Sequence, residues 1–439
     1  GTYKFTLSSF VQHHQGLPVF QSDLRLLVRN EPGFPLVLAR SALRSVGDLV
    51  IDEAVVNEPN IGSFLSDEDS PADKDHNSAM EVAFRYRRLY FAARKHLRAT
   101  AKVKARVFFA DMANNQKSPG ETLSPSSPRW NLVPWSLCLK TEWNPGLLSG
   151  KYKCPERPRK VHVQGVAFHP YASSASAALY SVSFLKNLID DAAATGRITG
   201  TRGIYLTEGG FLTAKGRNAS GLGASAVVTP EQQALYLNQA EHVLANDPRI
   251  KSVAQYELVD EGRGTWDSGL RYAWGDVRRT DGTVVSGDFL QVVVGSHVLV
   301  RPSGSEPVRV EWPAIASMAR TAAGAEKPAY AAYRIALDAE KVADKVHLWG
   351  HARVDTGAGF SVEGFYPSAT GGDWLEIAVV KTDAYGYGET TLDVGGATAW
   401  RLHFGGDYSR VSNGDEPPPE NFEAPDGPEA SEPIDPDTT

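Results

Sequence analysis

The chain has 439 residues, 42% of them hydrophobic and 22% charged, a balance that supports a globular core and excludes wholesale disorder. A formal net charge of -7 has the wrong sign for a protein that tracks nucleic-acid phosphates, which needs a basic face. No apolar run reaches the roughly 18 residues of a membrane-spanning helix, and the length suits one large domain plus a smaller module.

From Leu49 onward strand-like and helix-like segments alternate. Leu49–Val56 is apolar and β-branched and breaks at Asn57-Glu58-Pro59-Asn60. Met80–Leu97 carries apolar residues at helical spacing among many arginines, whose face is expected to be solvated. Val103–Met112 reads as a strand and Trp130–Leu139 as a short helix. Val163–Phe168 is the next strand, closing on His169-Pro170-Tyr171. A helix over Ala177–Ala194 leads to the strand Gly203–Thr207, which ends in Glu208-Gly209-Gly210. Thr229 is placed to cap a helix with Pro230 in its first position and its end near Asn246. Lys251–Val259 is the last clear strand of this series, and Lys327–Leu337 the helix that closes it. Between them lies an insertion at about 276–326 with extended runs near Val284 and Val298.

Strands and helices alternating at this spacing predict a parallel sheet with right-handed crossovers. The fold class expected is α/β, a (β/α)8 TIM barrel over 1–343. Only about 56 residues precede the Asn57-Glu58-Pro59 turn, whereas three βα units need roughly 30 residues each. The first two strands are therefore expected to be absent or rearranged. Beyond Asp344 the texture changes. Val346–Val354, Gly359–Tyr366, Trp374–Lys381, Tyr387–Leu392 and Trp400–Phe404 alternate between Gly-rich turns. They predict a small antiparallel β-sandwich over 344–411. From 412 to 439 the acidic, Pro-rich composition predicts a disordered tail.

The 2 cysteines, Cys138 and Cys154, share one irregular stretch that a disulfide would close. Two free buried thiols are the alternative, and the disulfide reading implies an exported, extracellular protein. Neither Cys-x-x-Cys nor His-Glu-x-x-His occurs, so no metal site and no cofactor is expected. His13-His14 are adjacent and point apart, which makes a poor chelator.

Two glutamates end two different strands, each followed by residues that turn the chain away. Pro59 holds Glu58 extended, and Gly209-Gly210 let backbone and substrate approach Glu208 closely. Glycoside hydrolysis needs two such carboxyl groups facing each other across the scissile bond. Val55-Val56-Asn57-Glu58-Pro59-Asn60 resembles the fourth-strand motif of the clan-A retaining glycoside hydrolases. Tyr205-Leu206-Thr207-Glu208-Gly209-Gly210-Phe211 resembles their seventh-strand motif, with His169-Pro170-Tyr171 after the sixth strand and Gln255-Tyr256-Glu257-Leu258 fitting the eighth. The resemblance covers roughly residues 35–275 and 327–337.

It implies Glu58 as acid/base, Glu208 as nucleophile, Asn57 donating to the sugar 2-hydroxyl, and His169 and Tyr171 beside the nucleophile. Trp266 and Trp274, expected in the loop after strand eight, offer faces for sugar rings. The substrate implied is a β-linked oligo- or polysaccharide cleaved by double displacement. Val56 and Gly209 stand where the family often has aromatic residues, and the family's arginine on strand two has no counterpart. These departures motivate the alternative, a non-catalytic carbohydrate-binding or interaction protein on a decayed barrel. No Gly-x-Ser-x-Gly elbow supports a serine hydrolase. The residues do not set the sugar, the linkage, endo or exo cleavage, or the oligomeric state.

Overall fold

The computed structural model describes residues 7–14, 17–24, 52–54, 83–84, 86–92, 94–95, 106–113, 132–138, 159–213, 227–260, 262, 267–293, 295–353, 359–417 and 419. The first elements are β1 (Leu7–His14) and β2 (Leu17–Leu24), paired antiparallel from Leu7 opposite Leu24 to His14 opposite Leu17. Two residues separate these strands, and a connection that short joins antiparallel neighbours only. Strands β1 and β2 thus form a hairpin where the barrel pattern calls for a βα unit.

A parallel sheet follows. Its strands are β3 (Asp52–Ala54), β4 (Arg106–Ala113), β6 (Val166–His169), β8 (Ile204–Leu206) and β9 (Ile250–Val253), side by side in that order. Two short strands, β5 (Val161–Val163) and β7 (Ile198–Gly200), pair with each other beside it. Spatial order equals chain order, which is the winding of a (β/α) barrel; a doubly wound sheet reverses direction at a switch point. The crossovers are helical: residues between 83 and 95, α1 (Leu132–Leu137), α2 (Ala175–Ala194) and α3 (Pro230–Ala245). Among the described residues no closed barrel forms, because β3 and β9 are not hydrogen-bonded to each other. The hairpin stands at both edges of the sheet, β2 near β3 and β1 near β9.

Local chemistry explains the helices. In α2 the buried positions Ala178, Val182, Leu185, Leu188, Ile189 and Ala192 recur at helical spacing, and Ser174 accepts the Ala177 N–H at 3.1 Å as N-cap. Helix α3 opens with a full capping box: Thr229 accepts from Gln232 N, the Gln232 side chain accepts from Thr229 N, and Pro230 fills the first position. The arginine-bearing helix before β4 is less solvated than its sequence implied. Arg87 is half-buried, reaches the carbonyl oxygens of Ser136 and Arg159, and lies over Phe91.

The stretch expected as an insertion is a sheet of its own. Five antiparallel strands run in the order β13 (Val308–Glu311), β12 (His297–Arg301), β11 (Val284–Val293), β10 (Arg271–Arg279), β14 (Ile315–Glu326), around Ala273, Val277, Phe289, Val298 and Val300. The expected closing helix over 327–337 is shorter, α4 (Pro328–Arg334). Ile335, Leu337 and Ala339 alternate inward on β15 (Ile335–Val342), so the 3.6-residue period stops at Arg334.

Strand β15 pairs with β16 (Lys345–Ala352), ahead of the boundary expected at 344, and β16 pairs with β19 (Tyr387–Asp393). A second antiparallel sheet has the order β18 (Gly371–Val380), β17 (Phe360–Ser368), β20 (Ala399–Phe404), β21 (Asp407–Tyr408). The two sheets share a core that includes Val346, Leu348, Phe360, Val362, Trp400 and Leu402. Residues 412–417, expected to begin a disordered tail, are held in place. Ser412 and Trp400 exchange backbone hydrogen bonds, and Glu416 pairs with Arg410 at 2.8 Å. Most of the expected tail, 420–439, lies outside the described residues. Among the described residues no helix is long and apolar enough to cross a membrane.

Candidate active site

The parallel sheet is apolar on both faces, as burial between helices and an interior demands. Toward the helices it presents Val107, Phe109, Val166, Phe168, Ile204 and Leu206. On the other face Phe108, Ala167 and Tyr205 form a small cluster, the rings of Phe108 and Tyr205 stacked at 4.0 Å. Gly165 is required beside them, because a Cβ there would meet both rings. One step further along each strand, at the C-terminal ends, this interior face turns polar.

Alternation places His169, two residues beyond Ala167, and Thr207, two beyond Tyr205, on that interior face. Strict alternation from Val107 and Phe109 would send Asp111 to the opposite face, among the helices. A β-bulge prevents this. Ala110 pairs with Ala167 but Met112 pairs with Phe168, so Asp111 is the extra residue. Ala110 (φ 78°) and Asp111 (φ 53°) both adopt the left-handed conformation, at a cost of about 1–3 kcal/mol each for non-glycine residues. Tyr86 steadies the bulge by accepting the Ala110 N–H at 2.6 Å. Burial, with Tyr90 nearby and further support from Asp111, pushes the Tyr86 phenol well above its usual range and keeps it protonated.

The re-aimed Asp111, only 2% exposed, meets His169 Nε2 at 3.1 Å and accepts from Thr207 Oγ1 at 2.6 Å, both on Oδ1. His169 is fully buried and turns Nδ1 toward Glu208 Oε2 at 3.7 Å. Tyr171, just past the end of β6, donates its hydroxyl to the same Glu208 oxygen at 3.0 Å. The Tyr171 ring stands edge-on to both His169 and Tyr256. Glu208 itself is 7% exposed. A carboxyl group with a phenol donor on one oxygen, set at the C-terminal end of a parallel strand, is equipped to attack an electrophilic carbon or to move a proton.

The turn after Glu208 is tightly built. The Tyr256 N–H donates to the Gly209 carbonyl at 2.7 Å. A Cβ on Gly210 would lie 2.6 Å from the Tyr256 carbonyl oxygen, whereas one on Gly209 would meet nothing closer than 3.6 Å. Gln255 secures the far wall by donating to the Tyr256 and Ser268 carbonyls at 2.9 and 2.8 Å.

A second buried charged group lies beyond this turn. Lys327, fully buried, bonds Asp260 at 2.7 Å and Thr213 Oγ1 at 2.7 Å. Burial pushes the Asp260 carboxyl up to about 7 despite Lys327, with Asp267 adding to the rise. The cluster joins the loops after β8 and β9 to the start of α4.

Of the residues expected at the site, the structure brings His169, Tyr171 and Glu208 together. Glu58, Asn57 and Trp266 lie outside the described residues. Trp274 is not in a loop: it sits within β10, opposite Asp288 and Ala322. The loop expected after strand eight ends before Trp274, because β10 begins at Arg271 and is held there between β11 and β14. Asp111 was missed; its signal is a single carboxylate interrupting the apolar run Val107–Met112. Among the described residues no group of three His, Cys, Asp or Glu side chains is arranged to hold a metal ion. Cys138 is buried, and Cys154 lies outside the described residues.

No protein-family model and no curated protein matches the chain. Among solved structures it is similar to the virulence factor SghA from Agrobacterium tumefaciens, at 12% identity and a TM-score of 0.32, over 54% of this chain and 62% of that one. It is similar to a glycoside hydrolase family 44 endoglucanase produced by Clostridium acetobutylium, at 9% identity and a TM-score of 0.30, over 85% of this chain and 73% of that one. An endo-beta-1,4-mannanase from Thermotoga petrophila aligns at 14% identity and a TM-score of 0.22, over 83% of this chain and 64% of that one. The chain therefore spans less than two thirds of the first and third of these proteins.

Proposed function

We propose that the chain is a retaining glycoside hydrolase acting on a β-linked oligo- or polysaccharide, with Glu208 as nucleophile and Glu58 as acid/base. The observation that supports this most is the setting of Glu208. It is buried at the mouth of a sequentially wound parallel sheet, with Tyr171 bonded to Oε2 at 3.0 Å and His169 behind it. In the first step the Glu208 carboxylate bonds to the anomeric carbon while Glu58 gives its proton to the departing glycosidic oxygen. In the second, Glu58 takes a proton from water, the water oxygen bonds to the anomeric carbon, and the ester to Glu208 breaks. Asn57 on the sugar 2-hydroxyl and Trp266 as a stacking face complete the proposal. The carboxyl oxygens of the pair are expected about 5–5.5 Å apart; roughly 8 Å or more would indicate inversion.

The test is turnover of a panel of aryl β-glycosides, with Glu208→Ala as control. Aryl 2-deoxy-2-fluoro-β-glycosides should in addition leave a sugar adduct on the peptide that carries Glu208. An adduct on another peptide, or turnover retained in the variant, rejects the assignment.

A second reading, a sugar-binding protein that does not catalyse, is favoured by one observation. The five parallel strands are not closed among the described residues, and β1 and β2 pair antiparallel. Sugar binding without turnover would support it. The two antiparallel sheets from residue 335 onward form, in this proposal, a β-sandwich accessory module. Cys138 is paired with Cys154 in an exported chain, which peptide mapping with and without reductant checks.

A further inference from the structure

Asp111 has the features of a residue kept for its chemistry. It is the extra residue of a bulge in β4, and it reaches the interior face only because of that bulge. Once there it joins the ends of three consecutive strands: its own, that of β6 through His169, and that of β8 through Thr207, the neighbour of Glu208. An ionised carboxylate only accepts hydrogen bonds, so a bond at 3.1 Å to Nε2 requires that the His169 proton sit on Nε2. The second ring nitrogen then faces Glu208 Oε2, the oxygen that Tyr171 also holds. Thr207 Oγ1 is fixed by the same Asp111 oxygen, one residue before Glu208.

We propose that Asp111 is a positioning residue for Glu208, fixing the ring and proton of His169 on one side and the Thr207 backbone step on the other. Its kinetic consequence rests on the reading of Glu208 as a nucleophile; its structural consequence does not. The chain of contacts runs carboxylate, imidazole, carboxylate across adjacent strands, so removing the first member frees the ring beside the last.

The decisive experiment has two arms. In the first, long-range proton–nitrogen spectra of the full chain, labelled at histidine, read which nitrogen of His169 carries the proton. The wild-type ring is expected to carry it on Nε2, a measurement that needs no variant to fold. Asp111→Asn and Asp111→Ala are then compared with it. A wild-type proton on Nδ1 alone, or ring signals unchanged in both variants, overturns the proposal. In the second arm the variants are assayed on the aryl β-glycosides. A loss of kcat of at least about tenfold, with KM within about threefold, is expected of a group that orients a nucleophile without touching substrate. Full kcat in a variant whose ring signals have changed overturns the positioning role. If wild type turns over no glycoside, the nucleophile reading fails, while the first arm still decides what Asp111 does to His169.

Discussion

Tyr171 and Glu208 come from neighbouring parallel strands and meet at 3.0 Å, phenol donating to carboxylate, at the end of the sheet where β6 and β8 finish. A hydrogen bond to a charged acceptor contributes about 1.5–3 kcal/mol. Tyr171→Phe should therefore lower kcat/KM on a reactive aryl glycoside by roughly 10- to 150-fold. The lost donor supported the ionised form of Glu208, so the acid limb of the kcat/KM profile should move to higher pH. An acid limb left in place would show that the phenol packs without tuning the carboxylate.

Helix α3 is tied to the antiparallel sheets by charge. Glu241 meets His351 Nδ1 at 2.6 Å and also pairs with Arg353. Burial alone would raise the Glu241 carboxyl, but Arg353 and His351 outweigh it and hold it at about 2. Its folded value lies below its unfolded value near 4.5, so its contribution is present above about pH 4.5 and lost as pH falls toward 2. That difference corresponds to about 3 kcal/mol. Burial, reinforced by Arg353, lowers His351, so the folded chain resists a proton that the unfolded chain accepts below about pH 6.5. Both effects act in the same direction. Stability by denaturant titration should fall on acidification, and Glu241→Gln should lose several kcal/mol at pH 7 while flattening the slope between about pH 4.5 and 2.

The Lys327–Asp260 pair should behave in the opposite sense. Burial raises Asp260 to about 7, above its unfolded value, so the folded chain binds that proton more tightly. The stability linked to it is present below about pH 4 and lost as pH rises through about 7. Lys327→Met leaves Asp260 without its cation, which costs on the order of 3–5 kcal/mol when the carboxylate is charged. The variant should be far weaker than wild type at pH 8 and recover part of the gap at pH 5, where Asp260 takes up a proton. A gap that does not depend on pH would mean that Lys327 contributes through packing alone.

How far these features were legible in the residues depends on how local their causes are. The start of α3 was readable because Thr229, Pro230 and Gln232 satisfy one another within a single turn. The strands of the parallel sheet were readable from apolar runs ending in polar residues, and the five late strands from their alternation. For Asp111 only its oddity was readable, one carboxylate in an apolar run; its role was not, since its partners are 58 and 96 residues away and its direction depends on a bulge that no local pattern announces. The start of β15 was blurred because Ala329, Ala332, Ile335 and Ala336 continue the helical spacing across Arg334, and only pairing with β16 ends the helix there. Of the five strands over 271–326 only two were foreseen, since much of β14 is small and exposed.

The two glycines after Glu208 looked equivalent in the sequence, and the structure separates them. A Cβ on Gly209 would meet Pro170 at 3.6 Å and the Ala254 carbonyl at 3.8 Å, ordinary contacts that require no movement. On Gly210 the same atom would lie 2.6 Å from the Tyr256 carbonyl oxygen, 3.0 Å from Gln255 Nε2 and 3.2 Å from Ser268 Cβ. The Tyr256 oxygen is backbone and already accepts from the Gln255 and Ser268 side chains, so it has little room to retreat. The turn must shift instead, at a cost of about 1–3 kcal/mol for an overpacked site. Because Glu208 is two residues upstream, that shift moves its carboxylate relative to Tyr171, and misplacement of about 1 Å is enough to lower a rate roughly 100-fold. Gly209→Ala should keep both its melting temperature and its rate on aryl glycosides, and Gly210→Ala should lose both. Equal tolerance at the two positions would show that the wall formed by Gln255, Tyr256 and Ser268 yields freely, and that Glu208 is not held by the turn that follows it.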